Sequence, residues 1–242
     1  MKGYRLTLVF VVLVAAFFGI QFLLRPKSQQ HALQARALAT RVLGEYLASS
    51  QPGRRVLVLS NPFVRQPSIE RAIVETEEAG LRGLREGLGS RLTVVGVAYP
   101  ELRPGARENP RAVAIAAETT TPLSYLIAPD AVDLALRPQP GCDIVVSLIG
   151  LPVELDRCEA WQAAGNPAFG LLLPDLRMVG DAAQVEAAVK SGKLLVIVAR
   201  KPGGLGDDVP LEKDARAEFD RRFLLVTREN VSQITKTYPG LF

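Results

Sequence analysis

Histidine and cysteine, the side chains most often used as bases, nucleophiles and metal ligands, are rare in this chain. There is one histidine, His31, and there are two cysteines, Cys142 and Cys158. A Ser–His–acid triad needs a histidine base, and the sequence has no G-x-S-x-G motif to supply the serine. Zinc sites need several suitably spaced His or Cys ligands. His31 stands in a short polar stretch and is interpreted as a linker residue, so we predict neither a histidine-based catalytic centre nor a metal site.

The two cysteines flank a predicted strand. Cys142 precedes the apolar run that begins at Asp143, and Cys158 falls in the helix expected after that run. A strand of about eight residues advances the chain by roughly 26 Å, so the thiols should lie near opposite ends of the sheet, too far apart for a disulfide. We expect two small buried side chains, and the cysteines do not decide the compartment.

Glycine-rich segments give weak signals for phosphate binding. Gly192 and Lys193 lack the upstream glycine and the following Ser or Thr of a P-loop, and they are interpreted as a turn. Residues 203–208 (GGLGDD) are either a ligand-contacting loop or a flexible surface loop. No G-x-G-x-x-G motif follows the first predicted strand, where a dinucleotide-binding fold needs it. We predict no cofactor, and because no carboxylate pair can be assigned as acid and base, binding is expected rather than catalysis.

Six short apolar runs alternate with helical patterns from Arg54 onward. They are rich in Val, Leu and Ile without strict alternation, which is typical of strands buried on both faces. The runs are Val56–Ser60, Leu92–Ala98, Asp143–Ile149, Phe169–Leu173, Leu194–Ala199 and Phe223–Thr227. Helical periodicity at Ile69–Leu88 and a capping box at Asp181 and Gln184 favour βαβ units. The predicted fold is α/β, with a doubly wound, mostly parallel sheet of five or six strands.

The ends of these strands indicate where a ligand would bind. In open α/β sheets, ligands lie beyond the carboxyl ends of the strands, where helix N-termini and loop amides converge. The predicted ligand-binding residues are Ser60, Asn61, Tyr99, Gly150, Asp175, Arg200, Lys201 and Arg228, with Thr227 beside the last. Arg200 and Lys201 would supply charge and Asn61 hydrogen bonds, which favours a small anionic or polyhydroxylated ligand. The alternative is that these are solvated loop residues.

Two segments carry a resemblance to a known family. Val56–Pro62 (VLVLSNP) is followed by a long helix and a second strand, and Asp143–Pro152 (DIVVSLIGLP) has the order aspartate, apolar strand, small residue, proline. The region from Arg54 to the C-terminus, about 190 residues, resembles one lobe of the type I periplasmic-binding-protein fold. The resemblance implies binding of a small solute, which family members hold between two lobes. This region is too short for two full lobes.

Leu6–Leu24 (LTLVFVVLVAAFFGIQFLL) is an uncharged apolar span. As a helix it would extend roughly 28 Å, close to the hydrocarbon thickness of a bilayer. The apolar region of a cleaved signal peptide is shorter, and its cleavage site lies closer to it. We predict an uncleaved, single-pass signal anchor in the cell membrane. Lys2 and Arg5 precede the span and Arg25 and Lys27 follow it, and we expect the short N-terminal tail in the cytoplasm and the domain outside.

The predicted organisation therefore has three parts. Residues 1–25 are the tail and membrane anchor, residues 26–53 are a polar hinge (26–31) and a juxtamembrane helix, and residues 54–242 are the α/β domain. The juxtamembrane helix has a broad apolar face that packs either on the domain or on a partner chain. That face comprises Leu38, Val42, Leu43, Tyr46 and Leu47.

The net charge of +4 does not indicate a nucleic-acid partner. Lys2, Arg5 and Arg25 flank the apolar span, and the remaining basic and acidic residues nearly balance. A nucleic-acid-binding protein concentrates its basic surplus on the folded domain. Two functions stay open. The first is a membrane-anchored, non-catalytic module that binds or senses a small solute; the second is a structural or assembly subunit that contacts a membrane protein partner.

Overall fold

The computed structural model describes residues 27–242. The apolar span predicted at Leu6–Leu24 lies outside this range. Among residues 27–242, no helix combines the length and the apolar character that crossing a bilayer requires.

A six-stranded sheet forms the centre of the fold. The strand order is β2-β1-β3-β4-β5-β6, with β1 to β5 parallel and β6 antiparallel to β5. The strands are β1 Arg55–Leu59, β2 Thr93–Ala98, β3 Ile144–Ser147, β4 Ala168–Leu172, β5 Leu194–Arg200 and β6 Phe223–Val226. All residues of β3 and β4 are buried, as expected for non-alternating apolar runs covered on both faces. The predicted mostly parallel α/β sheet is confirmed.

Helices cover both faces of this sheet. They are α1 Lys27–Ser50, α2 Arg71–Leu88, α3 Leu123–Leu126, α4 Ala131–Leu136, α5 Glu159–Gln162, α6 Ala182–Ser191, α7 Ala215–Arg222 and α8 Val231–Thr237. Short 3₁₀ turns occupy Pro62–Arg65, Pro110–Ala112, Leu155–Arg157, Leu176–Met178 and Pro239–Leu241. One face packs against α1, α2 and α7, and the other against α4, α5, α6 and α8. The doubly wound arrangement is therefore present.

Helix α1 belongs to the folded domain. Leu43 and Leu47 have no exposed surface and pack with Val58, Val146 and Val196 of the sheet. Full burial of a leucine stabilises the fold by about 1.5–3 kcal/mol relative to exposure. The apolar face predicted for this helix is thus turned toward the chain's own sheet. The polar hinge predicted at 26–31 is wrong for residues 27–31, which form the first turns of α1.

Helix α1 runs across the sheet in the direction opposite to the parallel strands. Near its start, His31 Nδ1 lies 2.9 Å from the carbonyl oxygen of Asp208, in the loop that follows the carboxyl end of β5. Its last residue, Ser50, is followed by a turn in which Gly53 donates to the Arg91 carbonyl, just before β1 and β2 begin. The chain therefore enters the domain at the carboxyl edge of the sheet and crosses to the amino edge before β1 begins.

One local prediction is changed by the structure. The helix expected through Cys158 is the single turn α5, which starts one residue later. The capping box of Asp181 and Gln184 is confirmed at α6. Both cysteines are free and buried, and burial raises the pKa of the Cys158 thiol to about 11.

Candidate functional site

The residues predicted to bind a ligand are divided between the two edges of the sheet. Those that follow β1 to β5 lie at the carboxyl edge, because these strands are parallel. Strand β6 is antiparallel: Phe223 is opposite Arg200, and Val226 is opposite Ile197. Thr227 and Arg228, which follow β6, therefore lie toward the amino edge. The structure therefore does not bring Arg228 together with the other predicted site residues.

Ser60 and Asn61, after β1, take part in an internal network. Ser60 Oγ donates to Glu77 Oε2 at 2.9 Å, and the Asn61 side chain accepts from the amide of Phe63. Glu77 is 5% exposed and forms an ion pair with Arg36 of α1 at 2.8 Å. The same guanidinium donates to the Leu148 carbonyl after β3. The crevice between β1 and β3, where the strand order reverses, is thus bridged by the chain's own side chains.

Gly150, after β3, is packed closely against Ser124. It has φ +81°, and a Cβ at this position would lie 2.8 Å from the Ser124 hydroxyl. The Ser147 hydroxyl donates to its carbonyl oxygen. The residue therefore serves the turn after β3, and neither of the clefts described below includes it.

Asp175, after β4, is the centre of a buried polar cluster. Arg177 donates to it through Nε and Nη2, each at 2.8 Å, and the Thr119 hydroxyl donates at 2.8 Å. Burial acts to raise the pKa of the Asp175 carboxyl, but the hydrogen bonds from Arg177 and Thr119 together outweigh it, so the pKa lies below its ordinary value. Arg177 also donates to the Glu118 carbonyl at 2.6 Å. Asp175 thereby ties the 118–121 loop to the end of β4.

Arg200 and Lys201, after β5, are both engaged within the chain. Arg200 forms a bidentate ion pair with Asp207, with both N–O distances at 2.7 Å. Its guanidinium also lies over the Phe223 ring. Lys201 Nζ donates to the Asp220 carbonyl at 2.7 Å. The glycine-rich loop at 203–208 thus supplies the acidic partner of Arg200, and its own shape is held by Arg222, which donates to the Gly206 carbonyl.

A cleft of about 420 Å³ opens between the ends of β4 and β5. We name it the β4–β5 cleft; its lining residues are Glu118, Thr120, Leu173, Pro174, Asp175, Leu176, Arg177, Ala199, Arg200, Gly240 and Leu241. Of the residues predicted from sequence, it brings together Asp175 and Arg200. Leu173 in its wall has φ +45°, a backbone conformation uncommon outside glycine and a mark of local strain.

Three polar lining residues were missed by the sequence reasoning, namely Glu118, Thr120 and Arg177. Arg177 could have been found, since it lies two residues after Asp175 and next to a strand end. Glu118 and Thr120 come from a loop more than fifty residues earlier, and the sequence has no signal that places this loop beside β4.

Tyr99, after β2, lies in a different cleft, and its ring is covered by the Arg65 guanidinium at 4.2 Å. Among residues 27–242, no group of three or more His, Cys, Asp or Glu is placed to hold a metal ion. The β4–β5 cleft offers hydrogen-bond donors on arginine, acceptors on carboxylate, and an apolar wall. Its two arginines already have acidic partners, so it can hydrogen-bond a ligand without needing charge on that ligand.

No protein-family model and no curated protein sequence matches the chain. Among solved structures, it is similar to a carbohydrate transporter from Acidothermus cellulolyticus 11B in complex with myo-inositol, at 13% identity and TM-score 0.47 over 86% of this chain and 62% of that one. It is also similar to AraP, an arabinose-binding protein from Geobacillus stearothermophilus, at 13% identity and TM-score 0.43 over 82% of this chain and 62% of that one. A third is a sugar ABC transport substrate-binding protein from Bordetella parapertussis 12822, at 16% identity and TM-score 0.46 over 82% of this chain and 57% of that one.

All three of these solved structures are longer chains than this one. The chain spans between 57% and 62% of their lengths.

Proposed function

We propose that this protein is a membrane-anchored, non-catalytic module that binds a small, uncharged polyhydroxylated solute in the β4–β5 cleft. The proposal rests mainly on the ion pairs of the two arginines that line this cleft. Arg177 is paired with Asp175, and Arg200 with Asp207. An anionic ligand would have to compete with these carboxylates for the guanidinium groups, whereas hydroxyl groups can donate and accept beside them without breaking either pair.

The second element of the proposal is the mixed character of the lining. Leu173, Leu176 and Leu241 provide apolar surface, and Thr120 and Glu118 provide exposed polar groups. Cyclic polyols and sugars present apolar ring faces between their hydroxyl groups, so a cleft with both kinds of lining suits them. The two carboxylates that line the cleft, Glu118 and Asp175, are both ion-paired with Arg177.

We predict that an uncharged cyclic polyol or monosaccharide raises the melting temperature of the wild-type protein. Thr120→Val and Arg200→Gln should each weaken binding of that ligand about tenfold, because a lost hydrogen bond to a polar or charged group costs about 1–2 kcal/mol. Titration calorimetry on the wild-type protein and the variants measures this.

Asn61→Ala provides the control for this experiment, because Asn61 lies at the same edge of the sheet but outside the β4–β5 cleft. Its binding constant should equal that of the wild type once folding is verified. A ligand whose affinity falls with Asn61→Ala and not with the cleft variants would place the site between β1 and β3. The absence of any binding across uncharged polyols and sugars would refute the proposal.

The anchoring part of the proposal rests on Leu6–Leu24. The position of α1 then indicates which edge of the sheet would face the membrane. Because α1 starts at the carboxyl edge of the sheet, an anchor directly before it would hold that edge toward the membrane, with the β4–β5 cleft on the membrane-facing side. We propose residues 27–242 as the folded unit, with the anchor in residues 1–25, rather than a domain that starts at residue 54. Since the apolar face of α1 is covered by the sheet, the assembly-subunit alternative loses its expected contact surface.

We predict that the full-length protein stays with the membrane fraction after an alkaline carbonate wash, because nineteen uncharged residues favour insertion. Replacing Val12 and Ala16 together by arginine should release it, since each charge at the centre of a span costs about 2.5–3.5 kcal/mol of insertion free energy. A reporter that is active only outside the cytoplasm, fused after Phe242, tests the orientation. Recovery of the wild-type chain in the wash supernatant would exclude the anchor.

A further inference from the structure

A second cleft lies along the free edge of the sheet beside β2. It has a volume of about 570 Å³ and shares no residue with the β4–β5 cleft. Its charged lining residues are Arg65 and Arg107, and no aspartate or glutamate lines it. Tyr99, at the carboxyl end of β2, and Gln139, after α4, add polar groups. We name it the β2-edge cleft.

The two arginines of this cleft differ from those of the β4–β5 cleft in having no acidic partner. The Arg65 guanidinium lies over the Tyr99 ring, with its Cζ 4.2 Å from the ring centroid. Contact with a ring face restrains the guanidinium and leaves N–H groups available for acceptors. Within residues 27–242, the side chain of Arg107 makes no hydrogen bond or ion pair, and Arg65 makes none besides its contact with Tyr99.

Gly96 of β2 lines the cleft. This residue is paired with Leu57 of β1. A Cβ at Gly96 would lie 3.5 Å from Gln139 Nε2 and 3.6 Å from Leu57 Cδ1, which are ordinary contact distances. An alanine could therefore be accommodated there, and its methyl group would occupy space beside the Gln139 amide. At Gly96 the backbone of β2 therefore lies close to the Gln139 amide in the lining of the cleft.

We propose that the β2-edge cleft binds a small organic anion whose phosphate or carboxylate group is held by Arg65 and Arg107. Two cations that line one concave surface without counter-charges attract anions, and the concave shape strengthens the local potential. Arginine suits this role because its planar fork donates two parallel hydrogen bonds to an oxyanion. Arg65, already oriented by Tyr99, loses less side-chain freedom on binding than a mobile surface arginine would.

Titration calorimetry on the full chain in a neutral detergent tests this proposal. The probes are phenyl phosphate, citrate and, as an uncharged counterpart of the first, benzyl alcohol. We expect at least one of the two anions to bind and benzyl alcohol not to bind. The affinity should fall at least tenfold in Arg65→Gln and in Arg107→Gln, and it should fall in wild type as the salt concentration rises.

Arg228→Gln is the matched control, because it removes the same charge from an exposed arginine toward the opposite edge of the sheet. Its affinity should equal that of wild type. Arg107 has no hydrogen bond or ion pair to lose among the described residues, so Arg107→Gln tests the proposal even if Arg65→Gln is unstable. The proposal is overturned if neither anion binds, if benzyl alcohol binds equally well, or if Arg228→Gln weakens binding as much as Arg107→Gln. Polyol binding in the β4–β5 cleft should be unchanged in all these variants.

Discussion

Replacement of Arg222 by methionine is expected to lower the free energy of unfolding by about 3–5 kcal/mol, because it leaves a buried carboxylate without its main partner. Arg222 and Glu218 both have no exposed surface, and the guanidinium donates to Glu218. It also donates to three backbone carbonyls of the loop after β5, at Gly206, Val209 and Pro210. Methionine keeps most of the volume but none of the five donors, so the loop carbonyls lose their partners as well.

Urea unfolding of wild type and variant measures this difference. The matched control is Arg216→Met, on the same helix. Arg216 is exposed and pairs with Asp220 at the surface, so its loss should cost less than about 1 kcal/mol. Combining Arg222→Met with Glu218→Leu should recover part of the loss, since the uncompensated charge is then gone. Equal destabilisation by Arg222→Met and Arg216→Met would show that the buried pair contributes no more than a surface pair.

Alanine in place of Gly83 or Gly87 is expected to destabilise the protein by about 1–3 kcal/mol, although alanine is the better helix former by roughly 1 kcal/mol. A Cβ at Gly83 would lie 2.1 Å from the Ala37 carbonyl oxygen, and one at Gly87 would lie 2.1 Å from the Arg41 carbonyl oxygen. Both contacts are with the backbone of α1, which cannot rotate away. Relief requires that α1 and α2 move apart, and this would loosen Leu43 and Leu84 in the shared core.

Gly80→Ala is the control on the same helix. A Cβ there would lie 3.1 Å from Arg36 Nε, so that side chain has to move by only a few tenths of an ångström. We expect a change within about 1 kcal/mol of wild type, because the gain in helix propensity offsets the adjustment. Melting temperatures of the three single variants provide the comparison. If Gly83→Ala and Gly87→Ala were as stable as Gly80→Ala, the close packing of α1 on α2 would be excluded.

The fold was largely predictable because its signals are local. Runs such as Asp143–Ile149 show no strict alternation of polar and apolar residues, which favours strands covered on both faces. The direction of β6 was not predicted, because it depends on where the chain between β5 and β6 lies. Helix α7 has eight residues, which extend about 12 Å, and it leads directly into Phe223. Lys201 donates to the Asp220 carbonyl and Phe223 is opposite Arg200, so the chain between β5 and β6 stays at the carboxyl edge and β6 starts where β5 ends.

The position of the candidate site could be predicted from the sequence, but the set of residues that form it could not. Parallel strands indicate which edge carries the loops, and Asp175 and Arg200 were found on that basis. Which polar groups remain open to a ligand depends on partners that are remote in sequence. Ser60 is engaged by Glu77, and that carboxylate by Arg36 of α1, which the sequence places beyond the domain boundary. Conversely, Glu118 and Thr120 reach the β4–β5 cleft through an irregular loop without periodicity.

The position of α1 also determines how long its apolar face stays uncovered during synthesis of the chain. This helix is the first of the described elements to be synthesised, but the surface that covers Leu43 and Leu47 includes β4 and β5, which end at Leu172 and Arg200. At typical elongation rates, the ribosome needs roughly 7–30 s to make the residues from Ser50 to the end of β5. Throughout that interval the apolar side of α1 is without its final partners, so the nascent helix is the segment that chaperones or a nearby lipid surface would meet first.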